Sequence, residues 1–539
     1  KICYKIEKHL QRGKEAVRLM TRQKSVLCQI ALRLPEIASF CCAALMLCVI
    51  PLYFDDAFFN INRCKVSLIR TATPWLLALM AVSLCASRLP GGKKRLERPI
   101  APDICMAAFL LACVIACARQ GFNEDVTEAA NGRNLGLWLM LCLCAAYYIV
   151  ALGEIDGRLL AVCMLLCAAI CAGLGILNAA GIDPLGFYQN IKRKLKITFF
   201  STIGNADFFG TYLLMMFGMA AGVMLFSKKR AFRLSAAGCA ILLILGMLVS
   251  RTDSAAAGML LVCLTMLVLS CGNWVRMGCA AILLAVCLAL IPAAQAVLNK
   301  NPYHPQMDGL LSLLMKTHAV HVLPVVLVVT AAVFIWLGRR GVRAPSRKAA
   351  SRVVLIAAAV MLVGFICATV WFTVVKPEAD PGELSAFLRF DDQWGNYRGF
   401  VYIRSLRAFA DYSLADKLLG KGLGRALAAL TPYFDDPDAI AQAGGVFTDA
   451  HCQILQFLLT CGLFGASAFL AFYVSMLYTC AKAMGDDPIL CGCFAALAGC
   501  LIVIAINVAQ PILLSTYFPL CGLAVSRMRR LKKGAVHES

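Results

Sequence analysis

The chain has 539 residues, of which 61% are hydrophobic and only 15% are charged. A soluble globular protein is typically about half apolar and about a quarter charged. The formal net charge of +22 would suggest nucleic acid as a partner. We exclude nucleic-acid binding because the basic residues lie mainly in short stretches between apolar blocks, which is the pattern that orients a membrane protein.

The apolar residues are grouped in blocks of about twenty, the length that crosses roughly 30 Å of hydrocarbon. Lipid satisfies no backbone hydrogen bonds, and the blocks lack the alternation of a β-barrel. The sequence therefore predicts an all-α polytopic membrane protein with about 14 transmembrane helices, and at least about 12. The predicted spans are centred near Leu45, Met80, Leu110, Cys142, Leu166, Met216, Leu242, Val262, Leu284, Val328, Val360, Ala468, Leu497 and Leu514.

The charges between the blocks predict the orientation. Basic clusters lie at residues 8–24, 93–98, 228–233, 339–352 and 527–533. With an even number of spans, all of these clusters fall on the side of the N-terminus, which positive-inside bias makes the cytoplasm. We therefore expect a multi-pass protein of the cytoplasmic membrane with both termini in the cytoplasm.

Two short basic segments run against this rule. A weak exception in the first predicted outer loop is formed by Arg63, Lys65 and Arg70. A stronger one, before the span at Met216, is formed by Lys192, Arg193, Lys194 and Lys196. The second segment is interpreted either as a solvated loop or a miscounted span, or as an outer site for an anionic ligand.

The N-terminal segment 1–35 is basic and is predicted to be cytoplasmic, either as a solvated anchor or lying along anionic lipid. The first apolar block, from Ile37 to Phe54, lacks a convincing small-residue cleavage site, so no signal peptide is expected.

Most of the 28 cysteines lie inside apolar blocks, where they behave as small hydrophobes. No zinc-type spacing joins them to histidine, so neither a metal site nor a cofactor is predicted. Asp435, Asp436 and Asp438 could hold a divalent cation, but a solvated turn around Pro437 is the favoured interpretation.

His451 is the clearest candidate for chemistry. It lies in the run from Thr448 to Gln456, which opens a predicted span on the outer face. If Thr448 or Asp449 caps the helix, His451 falls in the first turn. A helix N-terminus disfavours the imidazolium, so the neutral ring could serve as a general base toward a hydroxyl acceptor. An interfacial histidine without a chemical role is the alternative.

Arg251 lies between Ser250 and Thr252, where two predicted spans turn tightly on the outer face. A fixed guanidinium matches the oxygens of a phosphate bidentately. The alternative is an arginine that snorkels to an ordinary lipid phosphate.

The largest predicted outer segment runs from about Val375 to Thr448 and is long enough to hold a small lid. A helix from about Gly399 to Asp411 would place Arg404 and Arg407 on one face, since they are three residues apart. Arginines that are simply solvated are the alternative.

The same segment carries Trp394, Tyr397 and Arg398, and glycines at 420, 422 and 424 that would permit a close turn. The aromatic rings could stack on sugars, although packing within the loop is the commoner role. Asn205, before the span at Met216, is interpreted first as part of a turn and helix N-cap.

Four segments occur in a familiar order: residues 201–210, Ser250–Arg251, residues 395–400 with 420–424, and residues 449–465. Together they resemble the O-antigen ligase and polymerase superfamily of bacterial membrane glycosyltransferases. The resemblance covers about residues 199–472 and implies a GT-C-like bundle. We accordingly divide the chain into the basic segment 1–35, transmembrane helices in 36–198, a ligase/polymerase-like core 199–472 with an extracytoplasmic loop 376–448, and a C-terminal part 473–539.

The resemblance implies transfer of a glycan from undecaprenyl diphosphate to a glycan or other hydroxyl acceptor, on the outer face of a bacterial cytoplasmic membrane and without a metal. It assigns Arg251 and Arg398 to the diphosphate and His451 to the acceptor, with Arg404 as the second choice. Further expected substrate contacts are Arg407, Trp394, Tyr397, Asn205 and Asp449. The family usually has asparagine after the histidine, whereas this chain has Cys452, a poorer hydrogen-bond partner.

Ligase and polymerase are not separated by these residues. The alternative function is a transporter or flippase of lipid-linked glycans, which should place charges near mid-membrane and often shows internal repeats. The apolar blocks contain few charges and no clear repeat, which favours catalysis at the outer surface. A non-catalytic scaffold or sensor is the third possibility.

Overall fold

The structure is a computed structural model that describes residues 33–86, 98–129, 133–153, 155, 157–189, 191–307, 309–434, 437–442, 447–507 and 511–538. Most of the predicted basic segment 1–35, the cluster at 93–95 and the carboxylates of Asp435 and Asp436 lie outside the described residues. In the described ranges the fold is almost entirely helical, with a two-stranded antiparallel sheet that pairs Phe199–Phe200 with Gly204–Asn205.

Twelve helices of the described part are long and apolar enough to cross a membrane, namely all of the fifteen long helices below except α4, α12 and α15. The long helices, numbered in chain order, are α1 (Arg33–Leu52), α2 (Ile61–Ala86), α3 (Ala101–Ala118), α4 (Leu137–Leu152), α5 (Gly157–Ala179), α6 (Ala206–Phe226), α7 (Arg230–Val249), α8 (Asp253–Ser270), α9 (Trp274–Leu298), α10 (Ala319–Arg339), α11 (Arg347–Val375), α12 (Trp394–Ala410), α13 (Gln453–Ala483), α14 (Pro488–Ile506) and α15 (Pro511–Glu538).

The predicted all-α polytopic fold is confirmed. Every predicted span centre lies within one of these helices, from Leu45 in α1 to Leu514 in α15. The helix α4 is apolar but shorter than the twelve. The predicted tight turn at Ser250–Thr252 lies between the end of α7 and the start of α8.

The ends of the helices define two faces of the bundle. Ser526 of α15 donates a hydrogen bond to the carbonyl of Gly153 after α4, and Ser39 of α1 donates to the carbonyl of Ile149 in α4. The start of α1 and the end of α15 therefore lie at one face. We call it the basic face, because the linkers 228–229 and 340–346 lie there too, and we call the opposite face the site face.

The helix α6 lies at the centre of the bundle and α11 at its edge. Of the apolar stretch of α6, 89% is buried, whereas none of α11 is. A Cβ atom on Gly218 would lie 2.5 Å from the amide nitrogen of Ala496, and one on Gly222 would lie 2.4 Å from that of Gly492. Small residues one turn apart thus let α6 and α14 approach at backbone distance, as in other membrane helix pairs.

Lys65 is not in a loop, as the sequence analysis expected, but in the first turns of α2, where it is 0% exposed. Its ammonium donates to the carbonyls of Ile50 (2.7 Å), Pro51 (3.2 Å) and Tyr53 (2.6 Å) at the end of α1. A cation is favourable at a helix C-terminus, where carbonyls lack helical partners. Arg70 of the same helix forms a salt bridge with Glu128. Lys65 and Arg70 therefore have partners within the fold, which accounts for their departure from the positive-inside pattern.

The glycine-rich turn at residues 420–424, in the large predicted outer segment, packs against a kink in α13. Gly462 has φ 66° and ψ −169°, which breaks the helix. The carbonyls of Leu459 and Thr460 accept hydrogen bonds from the amides of Lys421 (3.2 Å) and Gly422 (2.8 Å). The loop therefore satisfies backbone groups that lie next to the break, and it is held on the site end of α13.

Replacement of Lys65 by methionine should destabilise the protein. Three carbonyls, of which those of Ile50 and Pro51 are buried, would lose their donor, which costs on the order of 3 kcal/mol. Thermal unfolding of the purified protein in detergent measures the effect, with Arg63→Gln as the control because Arg63 is exposed in the same helix. Equal melting temperatures for Lys65→Met and wild type would contradict the assignment.

Candidate active site

Arg398 is held by a left-handed turn at the start of α12. Gly395, Asn396 and Tyr397 have φ values of 59°, 60° and 64°, and regular helix follows them. The helix predicted over 399–411 is thus present, one residue shorter at its end. The turn brings the carbonyl of Gly395 to 2.8 Å from Nη1 of Arg398, which donates to it. Non-glycine residues rarely adopt this conformation, so the surrounding contacts hold the turn in place.

The second terminal nitrogen of Arg398 faces two other segments. Nη2 donates to Oδ1 of Asn507 at 2.9 Å and lies 3.8 Å from a carboxylate oxygen of Asp207. Its Nε is buried and has no hydrogen-bond partner within the described chain. The guanidinium is therefore fixed in position, and its charge is only partly offset by one distant carboxylate.

Asn205 caps α6. Its side-chain oxygen accepts a hydrogen bond from the amide of Asp207 at 2.8 Å. The predicted turn and N-cap are confirmed, and a contact of Asn205 with substrate stays a prediction. The cap aims the first turn of α6, and with it Asp207, toward Arg398.

Asn507 is a residue that the sequence analysis missed. It is buried at the end of α14, where its amide nitrogen Nδ2 donates to Oγ of Ser254 at 3.0 Å. Its backbone carbonyl accepts from the amide of Gln453 at 3.2 Å. Asn507 thus joins Arg398, the start of α8 and the start of α13. A polar residue that ends an apolar block was the available signal.

Arg251 lies in the tight turn between α7 and α8 and has φ 58°. Nη2 donates to the carbonyl of Ile197 at 2.9 Å and Nη1 to that of Gln306 at 3.2 Å. No carboxylate in the described ranges pairs with this guanidinium, and its Nε has no partner there. The predicted tight turn is confirmed, and its arginine carries an uncompensated charge.

The basic segment 192–196 lies beside Arg251, because Ile197 supplies the carbonyl that Arg251 binds. Both α5 and α6 have their adjoining ends at the site face, so a miscounted span does not explain this segment. The guanidinium of Arg193 lies 5.0 Å from the ring centre of Tyr303. The basic segment 192–196 therefore extends the positively charged surface around Arg251.

His451 is not in the first turn of a helix, which corrects the sequence expectation. The helix α13 begins at Gln453 with Cys452 as its N-cap, and no side chain caps it. Asp449 is turned away from the helix because its Oδ2 lies 2.9 Å from Nε of Arg133. His451 has φ 48° and precedes the helix in this turn.

The Asp449 carboxylate instead holds His451. Its Oδ1 lies 2.8 Å from Nδ1 of the imidazole and accepts a hydrogen bond from the His451 amide at 3.0 Å. The ring edge of His451 contacts Phe447, and the His451 carbonyl accepts from the hydroxyl of Tyr402 at 3.0 Å. The imidazole is 27% exposed, so it is oriented and still accessible.

Burial alone would raise the pKa of Asp449, but hydrogen bonds from His451 and the positive charges of His451 and Arg133 outweigh it and lower the pKa to about 2. The carboxylate is therefore ionised at neutral pH. Arg133, another residue that the sequence analysis missed, lies in the loop between α3 and α4, far from Asp449 in sequence.

Arg404 and Arg407 are not brought together as expected. Arg404 is buried, its Nη1 lies 2.5 Å from Oδ1 of Asp392, and its guanidinium stacks 3.8 Å from the ring centre of Phe400. Arg407 is exposed. Three residues along a helix differ by roughly 60° in direction, which here separates the buried side of α12 from its solvent side.

The aromatic residues of the turn have packing partners. Trp394 donates from Nε1 to the carbonyl of Phe387 at 2.9 Å, and its ring packs against Phe390 and Tyr402. Tyr397 is half-buried in the left-handed turn. Stacking of either ring on a sugar stays a prediction.

In the ranges that the structure describes, no group of three or more histidine, cysteine or carboxylate side chains is arranged to hold a metal ion. The cysteines there are free thiols. Cys452 is buried, and its Sγ lies 3.9 Å from the carbonyl of Ile504, so its thiol faces α14.

Comparison with known proteins bears on this arrangement. Residues 310–470 match the family model described as O-antigen ligase. The predicted resemblance to the O-antigen ligase and polymerase superfamily is therefore confirmed over this stretch. No curated protein is detectably similar to the chain in sequence.

The O-antigen ligase stretch supplies only part of the site. It contains Arg398 and His451, whereas Arg251, Asp207 and Asn507 come from segments outside it. The contacts of Arg398 with Asp207 and Asn507 cross this boundary. The O-antigen ligase stretch therefore depends on the rest of the bundle for the geometry of its arginine.

The low pKa of Asp449 makes a prediction about stability. A carboxylate whose pKa is lowered from 3.8 to about 2 in the folded protein stabilises it above pH 4. This contribution, about 2 kcal/mol, is lost as the pH falls from about 4 to about 2. The stability advantage of wild type over Asp449→Asn should therefore shrink over this interval, as measured by unfolding at a series of pH values. Asp56→Asn, at an exposed site, is the control, and a constant advantage would contradict the assigned pKa.

Proposed function

We propose that the protein is a membrane glycosyltransferase of the O-antigen ligase or polymerase type. It transfers an oligosaccharide from undecaprenyl diphosphate to a hydroxyl acceptor on the outer face of the bacterial cytoplasmic membrane, without a metal. The observation that carries the proposal is that Asn507 joins Arg398 to the first turns of α8 and α13, which directly follow the turns that carry Arg251 and His451. The family match over residues 310–470 supports the same class of reaction.

The donor site is formed by positive charge that neutral groups hold in place. Carbonyl oxygens fix Arg251, and a carbonyl together with an amide fixes Arg398. A diphosphate that leaves with two or more negative charges needs such preorganised donors. Planar guanidinium groups bind its oxygens bidentately. Lys192, Arg193, Lys194 and Lys196 add to the positive potential at the entrance.

The acceptor site is formed by the Asp449–His451 pair. In the neutral ring, Nδ1 donates its proton to the ionised carboxylate, which leaves Nε2 as the basic nitrogen. Nε2 takes the proton of the acceptor hydroxyl while the oxygen attacks the anomeric carbon. The bond between that carbon and the diphosphate oxygen breaks, and undecaprenyl diphosphate leaves with the electron pair. Arg133 holds Asp449 in place for this role.

Transfer by purified protein tests the proposal. Wild type, incubated with undecaprenyl-diphosphate-linked oligosaccharide, acceptor and EDTA, should release undecaprenyl diphosphate and lengthen or transfer the glycan. Arg251→Ala and Arg398→Ala should each lower the rate about 100-fold or more, and His451→Ala about 100-fold. Folding is checked by the melting temperature.

Arg343→Ala and His321→Ala are the matched controls, since both side chains are exposed, Arg343 in the linker at the basic face and His321 in the first turn of α10. Intact donor in the presence of wild type, or release that none of the three site variants affects, would overturn the proposal and favour a transporter of lipid-linked glycan. Loss of activity on EDTA addition would overturn the metal-independent version.

Asn507 should act as a positioning residue for Arg398. Asn507→Ala removes the acceptor of Arg398 Nη2 and the donor to Ser254, so we expect the transfer rate to fall about tenfold, which corresponds to roughly 1.4 kcal/mol. Asn507→Asp keeps the acceptor for Arg398 and should retain more activity than Asn507→Ala. Asn299→Ala, an exposed residue at the site end of α9, serves as the control. An unchanged rate for Asn507→Ala would contradict this role.

A further inference from the structure

A second site lies at the basic face, at the other end of α7 from Arg251. A cavity of about 490 Å³ opens there between α7 and α9. The helix α7 has 20 residues, so about 30 Å separates its two ends. The cavity is therefore distinct from the candidate active site.

The cavity has a basic rim and an apolar wall. Lys228, Arg230 and Arg233 are its polar lining residues, and the other lining side chains are apolar. Arg233 is anchored by a hydrogen bond from Nε to the carbonyl of Met224 at 3.1 Å. Within the described ranges, no salt bridge engages any of the three basic side chains.

Two acidic side chains that the structure describes at this face, in the linker between α13 and α14, are already paired with other residues. Asp486 forms salt bridges with Arg276 and Arg347, and Asp487 with Arg527. Among the residues that the structure describes, no acidic residue lines the cavity. Its charge is thus complementary to an anion that comes from outside the chain.

The apolar wall extends from the rim toward the middle of the membrane. Leu234 and Ile241, both on α7, are two helical turns apart, which corresponds to roughly 10 Å. Their exposed fractions are 62% and 47%, and that of Ile282 on α9 is 40%. Apolar side chains so exposed, at the depth of a span, face the acyl chains of the bilayer rather than water.

We propose that this cavity binds an anionic phospholipid of the leaflet at the basic face. The phosphate lies among Lys228, Arg230 and Arg233, and an acyl chain follows the wall formed by Leu234, Ile241 and Ile282. A soluble anion would leave the wall exposed, and a zwitterionic headgroup would match the three cations less well. Cavities of about 300–1,000 Å³ are of the size that holds small ligands.

Lipid binding to the full-length protein tests the site. Native mass spectrometry and thermal unfolding in detergent compare phosphatidylglycerol with phosphatidylcholine. Wild type should bind phosphatidylglycerol about tenfold more tightly and be stabilised by it. Arg230→Gln/Arg233→Gln should lose about tenfold in affinity for phosphatidylglycerol.

The matched control is Arg339→Gln/Arg340→Gln, which removes the same charge at the same face but does not line the cavity. It should bind phosphatidylglycerol like wild type. Ala237→Trp, which fills the cavity and keeps every charge, should displace the lipid. This variant keeps the test decisive if the arginine double variant fails to fold.

Three results would overturn the proposal. Phosphatidylcholine could bind wild type as tightly as phosphatidylglycerol, or the two arginine double variants could lose affinity equally. Glycerol 3-phosphate could give the full stabilisation, which would assign an anion site without a lipid tail. None of these measurements involves glycan transfer, so the outcome is independent of the proposed enzymatic function.

Discussion

Hydrocarbon offers no hydrogen bonds, and the whole structure depends on how the chain satisfies its polar groups internally. At helix ends and breaks, the partners come from distant segments. Lys65 donates hydrogen bonds to three carbonyls at the end of α1. The loop amides of Lys421 and Gly422 donate to the carbonyls beside the break in α13. At the basic face, Arg529 binds Asp103 at 2.7 Å in a buried ion pair. Each such contact also fixes one helix relative to another.

The break in α13 links this constraint to the site. Gly462 and Gly420 both have positive φ, and a Cβ atom on Gly420 would lie 2.3 Å from the carbonyl oxygen of Thr460. The large segment can therefore pack against α13 only if residue 420 is a glycine. Because α12 belongs to the same segment, the glycine-rich turn that follows it helps to fix the height of Arg398 above the membrane helices.

Hydropathy and charge predicted the fold well, because span length and basic linkers are local properties. They misplaced Lys65, since a lysine that caps another helix looks like a loop residue in the sequence. The helix cap expected from Thr448 or Asp449 was wrong for a related reason. Arg133 and His451 bind the two oxygens of the Asp449 carboxylate in place of the helix amides, and Arg133 is distant in sequence. Asn507 was missed because its partners come from three separate segments, none of which contains a motif that points to it.

The partners of the arginines distinguish fixed structure from proposed chemistry. Where carboxylates bind arginine, as in Arg529–Asp103 or Arg133–Asp449, the charge is neutralised and the pair fixes geometry. Arg251 is held by carbonyls alone, and Arg398 by a carbonyl and an amide with a carboxylate only at 3.8 Å. Neutral acceptors fix a guanidinium without cancelling its charge. In a low-dielectric setting at the membrane surface, such a charge attracts an anion strongly. This arrangement supports the proposed binding of a lipid diphosphate at the site face, by arginines that segments as far apart as α7 and α12 supply.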